Sequence, residues 1–193
     1  MKICVFGAAS NEIDKSYIDA VEKLGFIMAQ RGHSLVFGAG GHGLMGAAAR
    51  GVKDGGGKII GVIPKFFKDE EVELIYDKCD ELIYTETMAQ RKSRMEDEAE
   101  AFIIVPGGIG TFEEFFEVLT LKQLGRHVKP IVIYDINNYY KGMIDFLETS
   151  CKERFIRNDL KLIYGYSTTA EGALEYIESD KQIKRSVQTL KNG

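Results

Sequence analysis

The chain alternates between short, continuously apolar runs and longer stretches in which apolar residues recur every three or four positions. The second pattern is clear at Tyr17, Val21, Leu24 and Met28, which would share one face of a helix. The apolar runs predict strands at residues 3–6, 34–37, 59–63, 82–84, 101–105 and 131–134. Between them, the pattern predicts helices at residues 17–28, 43–52, 86–99, 112–119 and 139–151.

Strands that are apolar on both faces are typical of a parallel sheet covered by helices on each side. Repeated alternation of strand and helix favours the same architecture. The sequence therefore predicts an α/β fold, a doubly wound Rossmann-like sandwich with a mainly parallel sheet. A length of 193 residues and a hydrophobic content of 45% fit one such domain over residues 1–179, followed by a polar tail over residues 180–193.

Composition and charge argue against several classes of protein. The formal net charge is -4 and the basic residues are spread along the chain, which is unlike a nucleic-acid-binding surface. No apolar run reaches the length of a membrane span, and the N-terminus lacks the pattern of a signal peptide. Cys4, Cys79 and Cys151 have neither metal-binding nor CxxC spacing, so we expect reduced thiols, a cytoplasmic location and no metal.

Two glycine-rich turns follow predicted strands, at residues 38–46 and 106–111. Glycines let backbone N–H groups approach an anion, and the helix that opens after each turn directs its positive end to the same place. These turns predict a phosphate site, although each could also be only a tight turn, and Thr111 could bind the ligand or simply cap its helix. Neither turn is a Walker loop, and residues 7–10 lack the dinucleotide fingerprint.

Three charged residues near the second turn are candidates for chemistry. Glu114 lies three residues after Thr111, on the same face of the first helical turn. Arg91 and Lys92 lie on the preceding helix, where they could clamp a phosphate or remain solvated cations. Glu114 could likewise be a surface carboxylate that only favours the helix dipole.

The segment PGGIGTFEE resembles the PGGxGTxxE motif of the LONELY GUY family, whose members are cytokinin riboside 5′-monophosphate phosphoribohydrolases. The RK of MAQRK, the turn GAGGHGLMG and the segment GVIP are similar to further family motifs. The resemblance implies hydrolysis of AMP or an N6-modified AMP to free base and ribose 5-phosphate, without a cofactor. It also implies a homodimer with the active site near the interface. Many members carry a lysine decarboxylase label, but no lysine here lies in a cofactor-like context.

The family motifs assign roles to individual residues of this chain. Arg91 and Glu114 take the catalytic places. The binding places fall on Gly107, Gly108, Gly110 and Thr111 of the second turn, on Gly43 and Met45 of the first, and on Ser10, Met88 and Lys92. The chain departs from the family at residues 7–10, where only Ser10 keeps a hydroxyl, at Ala39, where glycine is common, and at Leu121, where Trp is common.

Two other functions are compatible with a phosphate-binding Rossmann-like domain. One is a carrier or sensor of a phosphorylated ligand, similar to molybdenum-cofactor carriers, with no hydrolytic turnover. Arg91 and Glu114 argue against it, because a pure binder needs no carboxylate at the sugar. The other is a nucleotidase, which would usually need metal-binding carboxylates that the sequence does not provide.

Overall fold

Seven strands form one sheet in the computed structural model, which describes residues 1–69, 74–157, 160 and 162–180. The strands are β1 (Lys2–Phe6), β2 (Ser34–Phe37), β3 (Ile59–Pro64), β4 (Glu81–Thr85), β5 (Ala101–Ile104), β6 (Ile131–Tyr134) and β7 (Gly165–Ser167). Their order is β4-β3-β2-β1-β5-β6-β7, and every neighbouring pair is parallel. The predicted α/β class is confirmed, with a sheet that is wholly parallel over the described residues.

Helices cover both faces of this sheet. They are α1 (Lys15–Gln30), α2 (Gly43–Asp54), α3 (Lys65–Asp69), α4 (Met88–Glu98), α5 (Ile109–Gln123), α6 (Lys141–Lys152) and α7 (Ala170–Ser179). Buried residues of α1, α2 and α7 share one core cluster, and those of α4, α5 and α6 share the other. Alternate residues of β1 point into opposite clusters: Ile3 and Val5 belong to the first, and Cys4 and Phe6 belong to the second. Because both faces of this strand are buried, it is apolar from Ile3 to Phe6.

The predicted strands and helices are all present, with ends that move by one to a few residues. Three elements were not predicted: α3, β7 and α7. β7 has only three residues and includes an exposed Tyr166, so it has no apolar run to reveal it. The predicted polar tail starts at Asp180, which ends α7, and its remaining residues lie outside the described part of the chain. No helix among the described residues is long and apolar enough to cross a membrane.

The sheet reverses its strand order at β1. From there β2, β3 and β4 follow in one direction, whereas β5, β6 and β7 lie in the other. Chain segments leaving β1 and β5 therefore diverge, which opens a crevice at the carboxyl ends of these two strands. The two segments are joined at the base of the crevice, where the Ala8 N–H donates to the Pro106 carbonyl at 3.0 Å.

Candidate active site

A cavity of about 250 Å³ occupies this crevice. It is lined by residues from the ends of β1, β2 and β5 and from four helices: Val5, Phe6, Gly7, Ala8, Ala9, Gly38, Gly40, Met45, Phe67, Arg91, Gly108, Gly110, Thr111 and Glu114. The structure thus brings Arg91 and Glu114 together with part of both glycine turns, although they are far apart in the sequence.

The N-terminus of α5 forms one end of the cavity. Gly108 precedes the helix in an extended conformation, and no side chain caps the helix N-terminus. A Cβ added at Gly108 or Gly110 would meet no atom within 4 Å, so the backbone there faces open space. Thr111, only 5% exposed, lines the same end. Backbone N–H groups and the helix dipole therefore offer a site for an anion.

The first glycine turn does not offer the same groups. The N–H groups of Leu44 and Met45 donate to the Ala8 carbonyl at 2.8 and 3.3 Å, and that of Gly43 donates to Asn11 Oδ1 at 2.9 Å. Gly43 has φ +55°, and a Cβ there would lie 2.6 Å from the carbonyl oxygens of Ala8 and Ser10. The N-terminus of α2 is therefore occupied in holding the turn after β1, and Met45 lines the cavity beyond it.

Arg91 is fixed by two backbone carbonyls, one in β3 and one directly after β2. Its Nε donates to the Val62 carbonyl at 3.2 Å and its Nη2 donates to the Gly38 carbonyl at 3.1 Å. The Phe67 ring centroid lies 5.8 Å from the guanidinium carbon, a cation–π distance. A Cβ at Gly38 would lie 1.7 Å from Nη2, so glycine is needed there for the guanidinium to fit. The cation is thus held rigidly, with Nη1 not engaged by any described residue.

Glu114 lies on α5, one turn beyond the anion site. The carboxyl is largely removed from water, and this burial raises its pKa from 4.5 to about 7, although the positive charge of Arg91 acts in the opposite direction. A buried carboxyl whose pKa lies near neutrality, in a cavity beside a fixed cation, is typical of a group that takes part in catalysis.

Comparison with known proteins agrees with this geometry. The family model described as "Possible lysine decarboxylase" matches residues 45–177. The cytokinin riboside 5′-monophosphate phosphoribohydrolases LOG2 and LOG4 of Arabidopsis thaliana are 36% and 37% identical, over 92% and 97% of this chain and 82% and 86% of theirs. The chain belongs to the LONELY GUY family. The rice (Oryza sativa subsp. japonica) relative LOG is 38% identical over 88% of this chain and 69% of its own.

Solved structures similar to this LONELY GUY chain are more distant in sequence. The molybdenum cofactor binding protein of Rippkaea orientalis aligns with a TM-score of 0.69 at 20% identity, covering 92% of this chain and 95% of that one. The molybdenum cofactor carrier protein of Chlamydomonas reinhardtii aligns with a TM-score of 0.69 at 22% identity, over the same shares. At such identities, the likeness shows the Rossmann-like fold alone.

Several binding residues expected from the family motifs lie outside the cavity. The Lys92 ammonium is bound by Glu113 and, at 2.8 Å, by Glu117, and these hydrogen bonds raise the pKa of Lys92 above its usual value. It therefore ties α4 to α5. Met88 is 40% exposed at the first turn of α4. The assignment of both residues as ligands stays a prediction.

Ser10 and Gly107 line a second cavity of about 290 Å³, together with Tyr17 and Tyr139. A Cβ at Gly107 would lie 2.1 Å from Thr111 Oγ1, so this glycine allows the turn to pack against the start of α5. Gly43 lines neither of these two cavities. The roles of all three as phosphate ligands also stay predictions. Among the residues that the structure describes, no three His, Cys, Asp or Glu side chains are grouped so as to hold a metal ion.

Phe67 lines the cavity but is not predicted by the patterns along the sequence. It lies in α3, in a stretch that the charge pattern made look irregular. Its position in the sequence could have indicated its role. Phe66 and Phe67 follow shortly after the buried strand β3, at the edge of the sheet where ligands bind.

Proposed function

We propose that the chain hydrolyses the N-glycosidic bond of a nucleoside 5′-monophosphate, AMP or an N6-modified AMP, to give free base and ribose 5-phosphate. One observation carries the proposal: Glu114, with a pKa raised to about 7, shares a cavity with the fixed guanidinium of Arg91 and the uncapped N-terminus of α5. The names of the relatives LOG2 and LOG4 describe the same reaction on cytokinin nucleotides.

The 5′-phosphate binds at the N-terminus of α5, against the backbone of Gly108, Gly110 and Thr111. This contact is remote from the bond that breaks, so its binding energy serves to place the sugar in the cavity. Arg91 provides a further cation, and its Nη1, which no described residue engages, can donate to the substrate. Because its other nitrogens are held by backbone carbonyls, little reorganisation is needed when the substrate binds.

The reaction breaks the bond between the ribose C1′ atom and the base nitrogen, and positive charge develops on the sugar. The ionised Glu114 carboxylate stabilises that charge and accepts a hydrogen bond from the attacking water, as one carboxylate does in glycoside hydrolysis. Water adds its oxygen to C1′, and the departing base takes up one proton. The products are then ribose 5-phosphate and the neutral base.

The test is to incubate the purified protein separately with AMP, GMP, CMP and isopentenyladenosine monophosphate, and to separate base, nucleoside and phosphate by chromatography. We expect free base and ribose 5-phosphate, with turnover reduced about 10²–10³-fold in Glu114→Gln. The matched control is Glu96→Gln: burial also raises the pKa of Glu96 to about 7, but this residue does not line the cavity. Full activity in Glu114→Gln would overturn the assignment.

The same chromatography separates the alternatives. Inorganic phosphate and nucleoside as products would identify a nucleotidase. Binding without any product would favour a carrier of a phosphorylated ligand, comparable to the molybdenum cofactor carrier protein of Chlamydomonas reinhardtii, which has a similar fold. Neither alternative gives Glu114 a role at the sugar.

We further propose that the chain works as a cytoplasmic homodimer with its active site near the interface. The free cysteines Cys4, Cys79 and Cys151 support a reducing compartment. Apolar side chains of α4 and α5, the helices that carry Arg91 and Glu114, are exposed, among them Ile109 at 85%. Sedimentation at micromolar concentration is expected to give twice the 21.6 kDa chain mass, and a monomer would contradict the proposal.

A further inference from the structure

Phe67 is the one aromatic side chain on the side of the cavity formed by α2 and α3, among the described residues. Its ring packs edge-on against Phe66, with centroids 5.0 Å apart, and it lies over the Arg91 guanidinium. The ring is only partly buried, and part of its surface lines the cavity beside the Arg91 contact.

The order of strands places this ring at the opposite end from the anion site. The uncapped helix α5 follows β5, whereas Phe67 follows β3, and β1 and β2 lie between them. With neighbouring strands about 4.8 Å apart, three steps across the sheet span roughly 14 Å. This distance is comparable to the length of a nucleoside monophosphate, so a phosphate at α5 places the base on the side of Phe67.

The chemistry of this end suits an aromatic ligand. Besides Phe67, the cavity is lined there by Gly38 and Gly40, which have no side chains. Apart from Arg91, which already donates to two carbonyls, no side chain of the described lining residues at this end offers a hydrogen bond. Flat bases stack on aromatic rings, so this end of the cavity suits a nucleobase.

We propose that Phe67 receives the nucleobase of the substrate, and that the cavity holds the base by stacking rather than by side-chain hydrogen bonds. The inference rests on the proposed function only in taking a nucleotide as the ligand. Phe67 is therefore a determinant of substrate selection, acting on the base, whereas the N-terminus of α5 acts on the phosphate.

The test compares two ligands by calorimetry in a Glu114→Gln background, where turnover does not interfere. AMP carries a base and ribose 5-phosphate does not. Phe67→Leu keeps the apolar volume but removes the ring, so we expect the Kd for AMP to rise by about 5- to 100-fold, as for loss of one base stack. The Kd for ribose 5-phosphate should stay within about twofold. Phe67→Tyr should restore AMP binding.

Phe66→Leu is the matched control, because Phe66 contacts Phe67 but does not line the cavity, and it should leave both Kd values unchanged. An unchanged Kd for AMP in Phe67→Leu would overturn the inference. Equal weakening of both ligands would also overturn it, since Phe67 would then act through Arg91.

The inference can also be tested if Phe67→Leu does not fold or if the protein shows no hydrolysis. If Phe67→Leu does not fold, AMP and CMP are compared on the Glu114→Gln protein, and equal Kd values would refute stacking, because a purine offers the larger ring surface. If the unsubstituted protein releases no base from any nucleotide, the proposed hydrolysis fails. The predicted pattern of Kd values would still support Phe67 as the base site.

Discussion

Replacing Glu114 by glutamine should make the protein more stable while it removes activity. Burial raises the pKa of this carboxyl from 4.5 to about 7, so between these pH values the folded chain keeps a proton that the unfolded chain has lost. Stability therefore declines as pH rises through this window and stays lower above it. At about 1.4 kcal/mol per pH unit, the loss is about 3 kcal/mol, which a neutral amide of the same shape avoids.

The measurement is thermal unfolding of the parent protein and Glu114→Gln at pH 5 and pH 8. A gain of up to about 3 kcal/mol corresponds to roughly 6–12 °C in Tm for a chain of this size at pH 8. At pH 5 the difference should be small, because the folded parent is then protonated at Glu114. Glu96→Gln serves as the control: it should also stabilise the protein at pH 8 but leave turnover intact.

The reasoning fails if Glu114→Gln has the same effect on Tm at both pH values. It also fails if the variant is less stable than the parent at pH 8. Either result would mean that the carboxylate is compensated in the folded protein by partners that the structure does not place beside it. A variant that is more stable and fully active would support the effect of burial on the pKa of Glu114, but it would show that Glu114 takes no part in catalysis.

Four further predictions concern the site and the turns around it. Because Glu114 must be ionised to stabilise a cationic sugar, kcat/KM should rise as pH increases through about 7, and a flat profile between pH 6 and 8 would contradict this role. Arg91→Lys should lower kcat/KM by about 10²-fold, since one ammonium cannot span the Val62 and Gly38 carbonyls and still bind substrate; activity within threefold of the parent, by the same chromatographic assay, would refute it. Gly108→Ala should keep Tm within about 2 °C but raise KM for AMP about tenfold or more, because its Cβ would enter open space in the cavity. Gly43→Ala should instead lower Tm by roughly 4 °C or more. If scanning calorimetry gives Gly108→Ala the lower Tm of the two variants, both assignments are contradicted.

Much of this architecture could be predicted from local patterns. Continuous apolar runs identified six strands, and glycine turns at their ends identified the edge of the sheet where the cavity lies. The pairing of Arg91 with Glu114 came from the family motifs, because nothing in the spacing of α4 and α5 fixes how these helices meet. β7 was missed because three residues carry too little pattern.

Other features depend on contacts that no local pattern contains. The two glycine turns look equivalent in sequence, but the Ala8 carbonyl accepts the N–H groups of Leu44 and Met45, so only the α5 turn faces the cavity with its helix N-terminus uncapped. Lys92, which stays a predicted ligand, is bound by Glu113 and Glu117, a contact that its own segment does not reveal. Both outcomes are set by the packing of segments distant in sequence.

The turn after β1 has a consequence for the kinetics of binding. The Ala8 N–H donates to the Pro106 carbonyl, and the Ala8 carbonyl accepts from the Leu44 N–H. The turn after β2 is held in the same way by residues 74–76, which hydrogen-bond to the backbone of Gly41 and Ala39. These two turns are thus ordered when the chain folds, so a ligand does not have to order them as it enters. Association should then depend on diffusion and on attraction between the phosphate and the positive end of α5. The rate of binding should accordingly fall with ionic strength while the rate of release changes little.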